Sequence, residues 1–224
     1  MSFYDELTAA TAVDRNNLFS APIIADCLEG RVSLESYLAF LGQAYHHVRH
    51  TTPLLMTLGG KLPDRLGWLR RAVAEYIEEE IGHEEWILDD IAAAGGDREA
   101  VRASRPDLPA ELMVAYAYDL IARGNPAGFF GMVFVLEGTS VALALTAADR
   151  IQLALDLPDA AFSYLRSHGT LDQEHTQHLA QLVNAMAPDD QAEVVRCAKV
   201  FYKLYGDIFQ ALPTVSAKEA AACN

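Results

Sequence analysis

The sequence predicts an all-α fold, read as one domain of about seven helices. Three observations carry this. Apolar residues recur at steps of three and four along nearly the whole chain, the period of a helix buried on one face. No obvious segment alternates apolar and polar residues with the period of two that marks a strand. Glycine and proline fall between the apolar stripes, where helices stop and start.

The elements follow in order. A short helix is expected over roughly Phe3 to Asp14. After Asn16 and Asn17, a second covers Ala21 to Leu28 and ends at Gly30, which suits the left-handed backbone beyond a helix C-terminus. Ser33 is placed to cap a long helix from Leu34 to about Leu58, ended by Gly59 and Gly60. Pro63 and Asp64 open another long helix, from about Arg65 to Ala94, stopped by Gly95 and Gly96. Its stripe reads Leu66, Leu69, Val73, Tyr76, Glu80, His83 and Ile87. A polar link with Pro106 and Pro109 precedes a helix from Glu111 to Arg123. Asn125 and Pro126, an N-cap followed by proline at the first helical position, start an apolar helix from Ala127 to Arg150. Leu157 and Pro158 open the next helix, and Pro188 and Asp189 open a last one to about Leu212. Residues 1–212 are read as one domain and Pro213 to Asn224 as a disordered tail.

Composition narrows the function. The chain has 224 residues, 51% of them hydrophobic and 21% charged, with a formal net charge of -14. A negative surface repels phosphate backbones, so no nucleic-acid partner is expected. The three cysteines, Cys27, Cys197 and Cys223, form no CxxC pair, which fits a reducing cytoplasm. The N-terminus lacks the basic and apolar regions of a signal peptide. The stretch Gly124 to Ala148 is long and apolar enough for a membrane span, but Glu137 at its centre would be costly in lipid. It is read as a buried core helix, and no membrane partner is expected.

The chemistry is concentrated on three stripes. On the helix after Pro158, one face reads Ala161, Leu165, His168, Asp172, His175, Leu179 and Leu182. Imidazole nitrogen and carboxylate oxygen are ordinary ligands for first-row metals. The competing reading is a polar core network in which these groups pair among themselves. Glu137 is the only ionisable side chain between Arg123 and Asp149, on an otherwise apolar stripe of Phe130, Phe134, Val141 and Ala144. Such a carboxylate needs a partner or a metal. Glu80-x-x-His83 has the spacing used in carboxylate-bridged two-metal bundles, and Glu79 also shares a face with His83. Alone this motif is weak, because charge runs on acidic helices are usually solvated. Together the stripes offer Glu79 or Glu80, His83, Glu137, His168, Asp172 and His175, a set suited to two iron or manganese ions. His178 is displaced around its helix and is set aside.

Around these motifs the chain resembles the haem-oxygenase-like di-metal oxidases, described broadly as iron-containing redox enzymes, from about Tyr37 to Met186. The resemblance implies a seven-helix haem-oxygenase-like bundle, shared with thiaminase-II (TenA) and pyrroloquinoline-quinone synthase relatives. It assigns metal to His83, Glu137, His168, Asp172 and His175. In several members a glutamate lies seven residues before the first histidine; Tyr76 stands there in this chain. The carboxylate partner of His83 is therefore open between Glu80 and Glu79. The resemblance further implies two Fe(II) ions, O2 as co-substrate and oxidation of a small organic metabolite. Tyr76 then becomes a candidate redox residue, set against an ordinary packed core tyrosine.

Gln43, His46, His47 and His50 cluster on one helix. Gln43, His47 and His50, with Phe134, are candidates for the substrate-pocket wall, against a partly exposed polar face. In haem oxygenases a first-helix histidine binds haem, but that role would leave His168, Asp172, His175 and Glu137 unexplained. Other activities stand beside the oxidase: a thiaminase-II-like hydrolase using a cysteine nucleophile, a cofactor-free oxidase like the quinone-cofactor synthases, and a non-enzymatic metal-binding protein. The last helix, with Val194, Val195, Phe201, Leu204 and Ile208, either covers the core or forms a homodimer contact.

Overall fold

A computed structural model describes residues 1–215 of the chain. Among them are twelve α-helices and no strand. The helices are α1 (Phe3–Ala10), α2 (Ala12–Phe19), α3 (Pro22–Leu28), α4 (Leu34–Val48), α5 (Thr51–Lys61), α6 (Leu69–Glu80), α7 (His83–Ala93), α8 (Arg98–Ala103), α9 (Leu108–Arg123), α10 (Phe129–Leu155), α11 (Ser163–Asn184) and α12 (Pro188–Ala211). Short 3-10 turns at Asp64–Leu66, Pro126–Gly128 and Asp159–Ala161 precede α6, α10 and α11.

Helical content matches the sequence expectation, but three of the expected helices are broken. The segment expected from Leu34 to Leu58 divides into α4 and α5 at Arg49 and His50. Pro53 explains this: its ring lacks an N–H and clashes with the carbonyl four residues back, at Arg49. The segment from Arg65 to Ala94 divides into α6 and α7 because Ile81 is extended and Gly82 takes φ +92°. Only glycine adopts that conformation without strain. The N-terminal segment is also two helices, separated at Thr11, whose hydroxyl bonds back to the Leu7 carbonyl at 2.8 Å. The polar link before Pro106 contains α8, held at its start by Asp97 Oδ1 accepting from the Glu99 and Ala100 amides. Of the tail reading, Thr214 is buried, and positions beyond 215 lie outside the described residues.

Helix α10 is the axis of the bundle. It packs along α11 on one side and α12 on another. It is the one helix among the described residues long and apolar enough to cross a membrane. Here its Phe130, Val135 and Ala148 are buried in the core. Two apolar clusters share it: one lies mainly among α5, α6, α9, α10 and α12, the other among α4, α7, α10 and α11. The buried Val194, Phe201 and Ile208 show that α12 closes the first cluster.

Glycines set the spacing around α10. A Cβ at Gly131 would lie 2.7 Å from the Ala198 amide nitrogen and the Val194 carbonyl oxygen, so α10 touches the α12 backbone there. A Cβ at Gly169 on α11 would lie 2.8 Å from Leu145 Cγ on α10. These close approaches bring the polar residues of both helices to a common centre.

Candidate metal centre

Three structural devices aim the side chains. The first is the break at Gly82. It leaves Glu80 as the last residue of α6 and His83 as the first of α7, with Ile81 turned out to solvent. The second is Asp90, fully buried on α7. Its carboxylate accepts from the Ser163 and Tyr164 amides at 2.9 Å each, and also from the Ser163 hydroxyl. This caps α11 and fixes the rotation of a helix with no other side-chain cap. The third is the Gly169 contact, which seats α11 against α10 beside His168.

The predicted groups meet in two sets. Glu80, His83 and His168 each offer a ligand atom, all within 4.8 Å of one another. His83 Nδ1 lies 3.2 Å from Glu80 Oε2. In the second set, His175 Nε2 lies 3.1 Å from Glu79 Oε2, and its Nδ1 lies 3.4 Å from Asp172 Oδ1 and 3.9 Å from Glu137 Oε1. Glu80 lies in the first set and Glu79 in the second.

Several of these atoms lack the partners that burial demands. His83 Nδ1, His168 Nδ1 and Glu137 Oε2 are buried without a hydrogen bond. His83 and Glu80 are close, yet not aligned to bond each other. A buried polar atom left unpaired costs on the order of 1–3 kcal/mol. Convergent atoms that do not bond one another are what a common ligand would require. Nitrogen and carboxylate oxygen without thiolate suit iron or manganese, so the residues present fit such an ion.

Electrostatics point the same way. Four carboxylates, Glu79, Glu80, Glu137 and Asp172, gather here. Burial, then the Asp172 and Glu80 charges, push the Glu137 carboxyl well above the usual carboxylate range. Burial also raises Glu80, but the His83 contact and neighbouring imidazoles outweigh it and hold its pKa low. Burial lowers His168 despite the attraction of Glu80 and Asp172. The Asp172 contact raises His175 against the opposing effect of burial. Divalent cations would relieve the repulsion among the carboxylates directly.

Aromatic rings enclose the centre. Trp86 stacks on His83 with ring centroids 3.9 Å apart, and Tyr164 lies 4.7 Å from His168. Tyr76 is buried beside Glu137 and 5.7 Å from the His175 ring, its hydroxyl without a well-aligned hydrogen bond. A recess opens onto Tyr76, Glu80, Glu137, His168 and Asp172, with His47, Ser140, Tyr164 and Tyr205 on its walls. Burial drives the His47 pKa down to about 3, so its imidazole is neutral.

Not every candidate reaches this recess. Gln43 instead accepts from the Asp107 amide at 3.0 Å, because its part of α4 faces the loop before α9. His50 sits in the α4–α5 break, where Nδ1 meets the Tyr118 hydroxyl at 3.2 Å. Phe134 packs between Tyr4 and Tyr202 in the core. Of these candidates, His47 lines the recess, and Gln43, His50 and Phe134 do not. Sequence reasoning also passed over Trp86, Ser140, Tyr164 and Tyr205. Ser140 lies one turn beyond Glu137, and Trp86 three residues after His83, but aromatic and hydroxyl residues on apolar helices carry no distinctive signal. His178, set aside by its helical phase, lies 6.0 Å from the Tyr76 ring.

The bundle has the haem-oxygenase-like fold. A domain of unknown function with a heme oxygenase-like fold from Shewanella denitrificans OS217 superposes with a TM-score of 0.85 at 24% identity, covering 100% of this chain and 95% of that one. Heme oxygenase-1 from Synechocystis sp. PCC6803, in complex with heme, gives 0.76 at 12% identity, covering 100% and 97%. A TenA homolog from Pseudomonas syringae pv. tomato DC3000 gives 0.75 at 11% identity, covering 92% and 90%. Within that fold, residues 38–206 match the model of the iron-containing redox enzymes, and the chain belongs to that family. A search of curated proteins found no match.

Proposed function

We propose that this chain is a non-haem di-iron, or iron–manganese, oxidase or oxygenase acting on a small organic molecule. The observation that supports the reading is the pair of ligand sets, in which the buried atoms His83 Nδ1, His168 Nδ1 and Glu137 Oε2 make no aligned hydrogen bond within the protein. Glu80, His83 and His168 would hold one metal; Glu79, Asp172 and His175 would hold the other. Glu137, which senses the charges of both Asp172 and Glu80, would serve both. Bound iron would supply the electrons for O2 activation.

The protein's own groups do the rest. Trp86 pins the His83 ring by stacking. Tyr164, Tyr205 and Tyr76 restrict water at the recess, which strengthens every electrostatic interaction inside it. Burial, with Glu137 close by, keeps the proton on the Tyr76 hydroxyl. His47 presents an uncharged imidazole to whatever enters.

Hydrolysis by a cysteine nucleophile finds less support. Cys197 lines neither this recess nor the neighbouring apolar space, Cys27 lies on the wall of the latter away from the ligand sets, and burial pushes each thiol up to about 11. A nucleophilic thiol needs its pKa lowered. The test is anaerobic loading with Fe(II), followed by rapid mixing with O2 under absorbance detection. A transient band absent from His168→Ala and Glu137→Ala supports the reading. Loaded protein that consumes no O2, with or without organic additives, would contradict it.

A further inference from the structure

A second chamber, partly open to solvent, lies against the recess. The two share Ser140, Tyr164, His168 and Tyr205. The chamber follows α10 from Thr139 to Ile151, along Leu143, Ala144 and Ala147. At 1.5 Å per residue that run is about 18 Å long. Ile23 and Ile24 of α3 and Phe209 of α12 face it from other sides.

Its polar groups are distributed unevenly. Away from the shared wall, the Cys27 thiol apart, they bond within the protein. The Tyr37 hydroxyl donates to the Ala161 carbonyl at 2.6 Å, and the Thr139 hydroxyl to the Val135 carbonyl at 2.7 Å. Ser36 pairs with Ser33 at 2.7 Å, and Arg31 with Asp26 at 2.6 Å. By contrast, Ser140 Oγ and His168 Nδ1, both on the shared wall, are buried and unpartnered. The space is thus long and apolar, and the buried oxygen and nitrogen atoms without a hydrogen bond, Ser140 Oγ and His168 Nδ1, lie at the end that meets the ligand sets. Interiors are otherwise close-packed, and apolar recesses with a few convergent polar groups are where small ligands bind.

We propose that this chamber holds the hydrocarbon chain of an amphiphilic substrate. The single polar end of that substrate is met by Ser140, and the adjoining carbons lie at His168. The inference deepens the oxidase reading and rests on it for the chemistry, but not for the binding.

Binding is measured on metal-free protein by displacement of anilinonaphthalene sulfonate with straight-chain alcohols of increasing length. Affinity should rise about fourfold per added methylene until the chamber is full, then level off. Ala147→Phe fills the chamber away from the ligand sets. It should shorten the chain length at which affinity levels off while leaving Fe(II) uptake unchanged. Ile23→Glu, at a half-buried position on the opposite wall, should weaken all chains without loading the core, which keeps the test valid if Ala147→Phe fails to fold. Ser140→Ala should weaken alcohols but not alkanes of equal length. Affinity independent of chain length, or unchanged in the folded variants, would overturn the proposal even if iron binds normally. Chain binding in a protein that takes up no iron would leave the chamber assigned and remove the oxidase reading instead.

Discussion

Glu137 shows how much one residue reveals when its surroundings are apolar. A buried carboxylate in the first third of α10 is intelligible only with compensation, and the structure places His175, Asp172 and Glu80 around it. Its neighbours differ in ways that predict rank. Glu80 is nearly buried and held in the compact set with His83 and His168, whereas the Glu79 side chain is 53% exposed. Glu80→Gln should therefore abolish uptake of one metal, and Glu79→Gln should weaken the other by a smaller factor, both read by anaerobic Fe(II) titration. The sequence made most of these residues legible because ionisable groups on apolar stripes are conspicuous. It left Glu79 against Glu80 open because both share the face of His83 on an ideal helix. Only the Gly82 break separates their destinations. That Gln43, His50 and Phe134 lie away from this recess was not legible, because helical phase says which residues share a face, not which neighbour that face meets.

At the scale of elements, the site depends on where helices start, stop and touch. Gly82→Ala should cost roughly 1–2 kcal/mol, the penalty of left-handed backbone for a residue with a Cβ. It should also lower metal affinity by disturbing the Glu80–His83 register; chemical denaturation and Fe(II) titration together check both effects. Asp90→Ala removes the only side-chain cap of α11 and should cost about 1–2 kcal/mol. Its midpoint in urea should fall while the secondary structure below the transition stays helical. Gly131→Val forces a branched side chain into the α12 backbone and should destabilise by about 1–3 kcal/mol or more. Helix breaks were the least legible feature of the sequence. Pro53 held the evidence for one, but it sat inside an unbroken apolar stripe. Gly82 resembled an ordinary helical glycine, because positive φ leaves no mark on periodicity.

Across the whole molecule, the all-helical architecture was readable because apolar spacing specifies it nearly everywhere, and the packing of α10 on α11 and α12 follows from that. What sequence could not supply was the shape of the space between helices, including the chamber along α10. Long-range polar ties were equally invisible. Asp190, at the start of α12, is buried and joins Arg65 before α6 to Asn125 before α10, accepting from the Asn125 amide at 2.8 Å. Burial raises its pKa, but the Arg65 and Asn125 contacts outweigh that and hold it below the usual value. A carboxylate whose folded pKa is depressed stabilises the fold above its unfolded pKa of about 3.9 and loses that contribution as pH falls through the folded value. Asp190→Asn should therefore lower stability at neutral pH and flatten the loss of stability below about pH 4, relative to the unaltered chain.

The central claim is that α6, α7, α10 and α11 converge to hold two metal ions. Its most direct test is the number of Fe(II) ions bound per chain at equilibrium under anaerobic conditions, by titration and elemental analysis of the desalted protein. The account predicts two in the unaltered chain, with Glu80→Gln retaining only one and His168→Ala showing a matching loss. No bound iron or manganese in correctly folded protein, or stoichiometry unchanged by both substitutions, would contradict it.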